Sequence, residues 1–397
     1  MLLAAAVGWG CADAPTGAVE RVPPPTFGKE KGEKAKFWEA LATTRWNLRA
    51  TDLLQERLPA PPNAQAYASR MLTYLSLAQY RAALAATAPS NRRTHPSVSA
   101  AVARASVTVL SDFYATAPGV AAALEQQLVA DRSAPGWPGE KNKDVAAGEA
   151  IGLAAAQAVL ARSRSDGYRS LPAPTPPPGA GYWTPNGAAV VSLWGARPFF
   201  LEPHDLLLAP APPAAGSPEF QAAVDEVYAI VSSRTPEQLA IANDWNKIAP
   251  NGPFTAGEWN RIADELIRSH HRKEGEAARI LAYANAAAFD AQIDCFTTKF
   301  THWVPRPAQA DHRITPALLA FPAPNHPSYP SAHSCISSAL AAVLADAFPS
   351  ERRTLHAMVE EAGLSRIYAG IHYRFDVEAG QEIGRRAAAK ALAGSLE

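Results

Sequence analysis

The sequence is poor in cysteine: Cys11, Cys295 and Cys335 are the only three in 397 residues. Three cysteines without regular spacing cannot form the disulfide framework of a small secreted scaffold, and they lack the paired spacing of a zinc site. Excess charge of either sign is also missing. Lys plus Arg and Asp plus Glu number 37 each and no Lys/Arg run stands out, so the electrostatic footprint of a nucleic-acid binder is absent. Beyond the N-terminus, no stretch reaches the roughly 18 consecutive apolar residues of a membrane span. The G-x4-G-K-[ST] phosphate loop and the G-x-S-x-G nucleophile elbow are absent as well.

Apolar mass is plentiful. Apolar residues make up 48% and charged residues 19%, enough for a sizeable core. Helical periodicity dominates. In 33–57, Phe37, Leu41, Leu48, Leu53 and Leu54 fall near one helix face. The same reasoning predicts helices over 63–87, 97–115, 117–131, 144–163, 218–231, 235–245, 255–268, 273–300, 331–347, 351–362 and 377–394. No alternating strand pattern competes, so the expected class is all-α, as two helical-bundle halves spanning 21–170 and 218–397. Between them, 171–217 is rich in Pro and Gly. Trp183, Trp194, Phe199 and Phe200 give it anchors that a free linker would not need, so it is expected to wrap over the surface and pack. Residues 1–20 read as a signal peptide or lipoprotein leader, with Cys11 a candidate lipid-attachment residue. That implies a periplasmic or secreted protein, tethered or free. The oligomeric state stays open, with a homodimer one alternative.

Six of the ten histidines lie between 302 and 372. Three stretches there share a chemical logic. "KFTHWVPRP" places Lys299 and Arg306 seven apart, with prolines that end the helix between or after them. "HPSYPSAH" places Ser331 where an N-cap hydroxyl belongs, and Ala332 and His333 in the first turn, where free N–H groups attract an oxyanion. "SRIYAGIHYRFD" sets Arg366 and His372 on either side of a bend at Gly370. Asp376, four beyond His372, can accept a ring N–H and fix the tautomer, leaving the other nitrogen free as ligand or nucleophile. Two arginines, a lysine, a serine and a helix N-terminus make a cage for a tetrahedral oxyanion. One histidine can bond its central atom and another can move protons.

The three stretches resemble the signature K-x6-RP, PSGH, SR-x5-H-x3-D of the superfamily of vanadium-dependent haloperoxidases and type 2 phosphatidic acid phosphatases (PAP2). Weaker similarity to the soluble bacterial haloperoxidase-like branch runs through "EAARILAYANAAAFDAQIDCFTTK" and "GYWTPNG". The resemblance implies a single haloperoxidase-like unit whose C-terminal half, 218–397, is catalytic. It implies that Lys299, Arg306, Ser331, the Ala332 N–H and Arg366 hold the oxygens of vanadate or phosphate. His372 is then the axial vanadium ligand or the phosphorylated nucleophile, His333 the general acid/base, and Asp376 the residue that orients His372. Asp290, in "FDAQI", is a candidate carboxylate behind one of the arginines. The implied reaction is oxidation of halide by hydrogen peroxide. The alternatives are hydrolysis of phosphomonoesters, or a helical surface protein that binds phosphate or vanadate without turnover.

Three positions bear on that choice. Ala332 replaces the glycine of PSGH, which adds a methyl group that would crowd an apical oxygen and disfavours positive φ. His326 is similar to the extra histidine of bromoperoxidases. Phe296, three before Lys299, resembles neither the tryptophan of chloroperoxidases nor the arginine of bromoperoxidases. Cys295 and Cys335 each adjoin a motif, and a disulfide between them is conceivable.

Overall fold

The computed structural model describes residues 41–56, 64–88, 95–133, 143–248 and 251–396. The expected leader with Cys11, and the front of the 33–57 helix, lie outside these residues. The N-terminal helices are α1 (Ala42–Gln55), α2 (Ala64–Thr87), α3 (Val98–Phe113), α4 (Val120–Ser133) and α5 (Val145–Arg164). The C-terminal ones are α6 (Pro218–Ser233), α7 (Pro236–Asp244), α8 (Phe254–Ser269), α9 (Glu274–His302), the short α10 (Pro307–Ala310), α11 (Ala332–Ala347), α12 (Arg352–Tyr368) and α13 (Arg374–Ala393). The described residues contain no strand beyond one isolated bridge, Pro96 to Asp144. The all-α expectation holds.

Local chemistry sets many of the boundaries. Ser97, Asp144 and Ser217 accept N–H bonds from Ala100, Ala147 and Phe220, capping α3, α5 and α6. At α7, Thr235 and Gln238 cap each other's backbone, and Pro236 occupies the first turn, where its missing N–H costs nothing. Among the boundaries that departed from expectation, α4 starts at Val120 and not 117. Helix α12 runs through Gly363 to Tyr368, because Gly363 packs where a Cβ would lie 2.5 Å from Val377 Cγ1. Helix α13 starts at Arg374, so Asp376 lies in its first turn and accepts the Tyr373 N–H.

The two halves share one core. Helix α2 packs along α9 and α1 against α8, while α11 sits among α9, α12 and α13. A continuous apolar cluster joins Leu41 to Leu396 and includes the fully buried Trp46 and Trp259. Many polar groups inside it are paired, as burial favours, although Trp46 Nε1 and Asp264 Oδ1 have no partner among the described residues. Asn260 and Asn285 exchange amide bonds of 2.8 and 2.9 Å, and Asn47 donates to Asp264 at 2.9 Å. Helix α5 reaches the length and hydropathy of a membrane span. It packs against α3 through Gly148 and Gly152, where a Cβ would lie 2.4 Å from the Ser97 carbonyl and 2.1 Å from that of Ala101.

The 171–217 segment is a packed strap, as its aromatics predict. Trp183 is buried, stacks on Trp303 and donates its N–H to the Trp303 carbonyl. Trp194 lies edge-on to Phe300 and Phe199 edge-on to Phe289. The strap also reaches the residues around "HPSYPSAH": Val190 N–H donates to Asn325, and the Tyr329 hydroxyl donates to the Pro210 carbonyl.

Candidate active site

Four helix ends bring the three sequence stretches together. Lys299 lies in the last turn of α9, which stops at Trp303 in a left-handed conformation (φ 53°). Arg306 follows as the residue that opens α10. Ser331 caps α11, its Oγ 3.4 Å from the Ser334 N–H. Arg366 closes α12, and the chain turns at Gly370 (φ 79°) to reach His372 before α13. That turn demands glycine twice over: φ is positive, and a Cβ would meet Val231 and Leu319 at 2.8 and 2.9 Å.

Three cations sit in the interior without carboxylate partners among the described residues. Lys299, Arg306 and Arg366 are 0%, 2% and 2% exposed. The Lys299 ammonium donates to the carbonyls of Pro327 and Ser328, 2.8 Å each, and of Pro330. Arg306 donates to the carbonyls of His326 (3.0 Å) and Ile371 (2.7 Å). Arg366 donates to Ser365 Oγ (2.9 Å) and the Ala242 carbonyl (3.1 Å), and lies 5.1 Å from the Phe321 ring centre. Burial lowers all three: Lys299 to about 8, Arg306 to about 10 and Arg366 to about 9. Carbonyl dipoles satisfy the N–H groups but do not neutralise charge, and uncompensated buried charge is costly.

Donor and acceptor logic fixes two ring states here. His372 Nδ1 lies 2.8 Å from Asp376 Oδ2 and its Nε2 lies 2.9 Å from Arg306 Nη1. A guanidinium can only donate, so Nε2 carries the lone pair and Nδ1 the proton. Burial, then Arg306 and Lys299, hold His372 well below the usual imidazole range, so the ring is neutral. Asp376 also accepts the Ser328 hydroxyl at 2.6 Å, and burial raises it to about 6. His326 Nδ1 receives Arg306 Nη2 at 3.0 Å, which leaves its proton on Nε2. The Pro327 carbonyl, 3.1 Å from the same Nδ1, is then a contact and not a hydrogen bond. Phe296 meets the His326 ring edge-on at 5.1 Å and forms a wall beside Lys299.

Most of the expected residues converge: Lys299, Arg306, His326, Phe296, His372 and Asp376 are linked by contacts, the Ser331 N–H donates to the Asp376 carbonyl with Ala332 following at the start of α11, and the Arg366 charge acts on both His372 and His333. Asp290 does not stand behind any cage arginine. Its buried carboxylate accepts the N–H groups of Phe199, Phe200 and Leu201 at 2.7, 2.7 and 3.0 Å and so pins the strap. Burial raises it to about 7. Ala332 begins α11 with no positive φ, so the backbone objection to alanine falls away. Cys295 and Cys335 are buried free thiols, with no disulfide between them. Sequence reasoning missed Ser328, which buttresses Asp376, and the carbonyls of Ala242 and Trp245 that face Arg366 and His333. The backbone acceptors leave no residue-type signal, whereas Ser328 is a side-chain donor visible inside "HPSYPSAH" whose partner only the fold reveals.

Residues 278–393 match the model of the PAP2 superfamily. Over 57 residues the chain is 42% identical to a non-specific acid phosphatase of Salmonella typhi, a match that covers 14% of this chain and 23% of that protein. The chain therefore spans about a quarter of that curated relative's length. Among solved structures, a bacterial vanadium-dependent iodoperoxidase superposes with a TM-score of 0.73 at 21% identity, over 91% of this chain and 98% of the other. An apo-type bacterial vanadium-dependent chloroperoxidase superposes with a TM-score of 0.63 at 15% identity, over 86% and 97%. What is shared with both structures is the helical fold.

Proposed function

Starting from a PAP2 superfamily segment on a fold shared with bacterial vanadium-dependent haloperoxidases, we propose that this chain is a vanadate-dependent haloperoxidase that oxidises halide with hydrogen peroxide. One observation carries the reading: a neutral histidine presents its Nε2 lone pair beside three buried cations that have no carboxylate partner among the described residues. This donor set fits a tetrahedral oxyanion whose central atom accepts a nitrogen ligand. Lys299, Arg306 and Arg366 would hold the vanadate oxygens with the Ala332 N–H. The Ser331 hydroxyl accepts the Ser334 N–H and still has its own proton to donate. His372 Nε2 would bind vanadium. Bound vanadate supplies an electrophilic centre that activates hydrogen peroxide towards halide.

The protein's own groups do the rest. Asp376 holds His372 by Nδ1–H and keeps its lone pair aimed inward, with Ser328 and the Tyr373 N–H fixing the carboxylate in turn. Fixed cations stabilise charge that develops on oxygen without having to reorganise. His333 takes up and returns a proton at the cage. The Nε2–H of His326, beside Phe296, is a donor suited to peroxide or halide.

The acid phosphatase match favours a second reading, hydrolysis of phosphomonoesters. There His372 Nε2 attacks phosphorus, the ester P–O bond breaks, and His333 protonates the departing alcohol; water then cleaves the phosphohistidine. Purified protein loaded with orthovanadate and given bromide or iodide with peroxide should halogenate a dye. Vanadate-free protein given an aryl phosphate tests the alternative. Halogenation that survives His372→Ala would sink the ligand assignment. Ester hydrolysis with neither halide oxidised would replace the first reading by the second.

A further inference from the structure

We infer that Thr255 is a positioning residue for His333. Its hydroxyl and the Trp245 carbonyl together hold that ring's proton on Nε2, so that Nδ1 is the nitrogen that exchanges protons at the oxyanion. The inference rests on His333 as the proton-transfer group, and it adds which atom acts and what aims it.

His333 Nε2 lies 3.1 Å from the Trp245 carbonyl oxygen and 2.9 Å from Thr255 Oγ1. A carbonyl has no proton to give. An unprotonated Nε2 would set two lone pairs against each other at that distance, so the proton is on Nε2 and is shared between the two oxygens. Nδ1 has no hydrogen-bond partner among the described residues. It is the ring atom left to take a proton, with the imidazolium then donating from both nitrogens and Nδ1–H returning its proton to a developing alkoxide or oxyanion.

The aiming device is built from two helix ends. Trp245 caps the C-terminus of α7, where the last carbonyls lack intrahelical donors. Ala242 gives its carbonyl to Arg366 and Trp245 gives its own to His333, so one helix end serves two cage groups. The Trp245 indole is itself fixed, donating to Glu361 at 2.9 Å. Thr255 lies in the first turn of α8, 2% exposed. It directly follows Phe254, whose φ of 63° is a conformation bulky residues rarely take. The Phe254 N–H donates to the Lys247 carbonyl at 2.6 Å, and its side chain is buried. Strained backbone of this kind persists where surrounding packing fixes it, and here the constrained residue directly precedes the one whose hydroxyl meets the ring.

The two cage histidines are therefore supported differently. His372 leans on a carboxylate, whereas His333 leans on two neutral oxygens. The charged or titratable groups whose fields act on the His333 ring are Arg366 and His326. Neutral acceptors fix the tautomer without strongly favouring the imidazolium, which suits a group that must give its proton back.

Nitrogen-15 spectra of histidine-labelled protein with inorganic phosphate bound test the tautomer directly, with His333→Gln identifying the signals. Above the titration of the ring, Nε2 should show the protonated shift and Nδ1 the lone-pair shift. Thr255→Val, nearly isosteric, should keep the melting temperature within a few degrees and lower kcat roughly tenfold at unchanged KM. The acid limb of its pH profile should move, and Thr255→Ser should restore both. An Nδ1–H tautomer in the wild-type protein would overturn the inference, as would a Thr255→Val enzyme with wild-type kcat and pH profile. If the protein turns over neither halide nor ester, the functional reading fails, while the spectra still decide the tautomer.

Discussion

Two cation sites in this molecule, one half-buried and one buried, are built on opposite plans. In the N-terminal half, Arg70 donates to Asp166 at 2.8 Å and to the Ser163 carbonyl, and lies over the rings of Tyr74, Phe113 and Tyr168. Tyr74 donates to the same carboxylate. This charge is balanced within the fold. In the C-terminal half, Lys299, Arg306 and Arg366 meet carbonyls, hydroxyls and histidines. Among the described residues the carboxylate near them, Asp376, is already taken by His372 and Ser328. One cluster is closed within the fold; the other leaves its charge unbalanced among the described residues, the pattern that the proposed anion would complete.

The sharpest way to break this contrast is to neutralise one cation in each cluster's plan. Lys299→Met should cut turnover by at least about 100-fold, the usual cost of losing an oxyanion donor. The anion-free protein should keep or gain stability, because an uncompensated buried charge has gone. Asp166→Asn should do the reverse: leaving Arg70 unpaired should cost about 3 kcal/mol by denaturant melts, with activity per folded molecule unchanged. Stabilisation of Lys299→Met by phosphate equal to that of the wild-type protein would erase the distinction.

A smaller effect is thermodynamic. Phosphate or vanadate at a hundredfold its dissociation constant should add about 2.7 kcal/mol to the wild-type stability, read as a rise in melting temperature. No comparable rise should survive in Arg366→Met.

A pH test follows from Lys299, held at about 8 in the fold against 10.5 when free. Between those values the unfolded chain binds more protons than the folded one, so stability rises with pH across this window. Below pH 8 the penalty is present in full. Saturating phosphate favours the ammonium and should flatten the rise. A stability curve from pH 8 to 10.5 that is the same with and without phosphate would count against the open cage.

The smallest effect concerns how the cage is braced. A Cβ at Gly380 would lie 2.6 Å from the Ser331 carbonyl and 2.8 Å from Ser334 Cβ. Gly380→Ala should therefore push α13 off the start of α11 and cost about 1–3 kcal/mol. It should also weaken phosphate binding, as calorimetry can report.

Much of this was legible in advance, for identifiable reasons. Helix periodicity and capping residues are local, so α2, α3, α5, α6 and α9 appeared where the pattern put them. The cage residues were legible because their chemistry is concentrated in three short stretches. The 351–362 range fell short because α12 continues to Tyr368, with Gly363 packed closely against α13. Asp290 misled because a carboxylate's partner here is backbone, the N–H groups of 199–201, which lie about ninety positions away.

The sequence by itself determined an all-helical chain, an aromatic-anchored strap and the inventory of an oxyanion cage, because periodicity, residue type and short spacings are written locally. Tertiary structure alone decided which charges go unbalanced and which nitrogen of these histidines carries the proton. Those depend on carbonyls and hydroxyls delivered by distant elements: Ala242 and Trp245 from the end of α7, Thr255 from the start of α8. A backbone carbonyl is the same group at every position, and only folding says where it points.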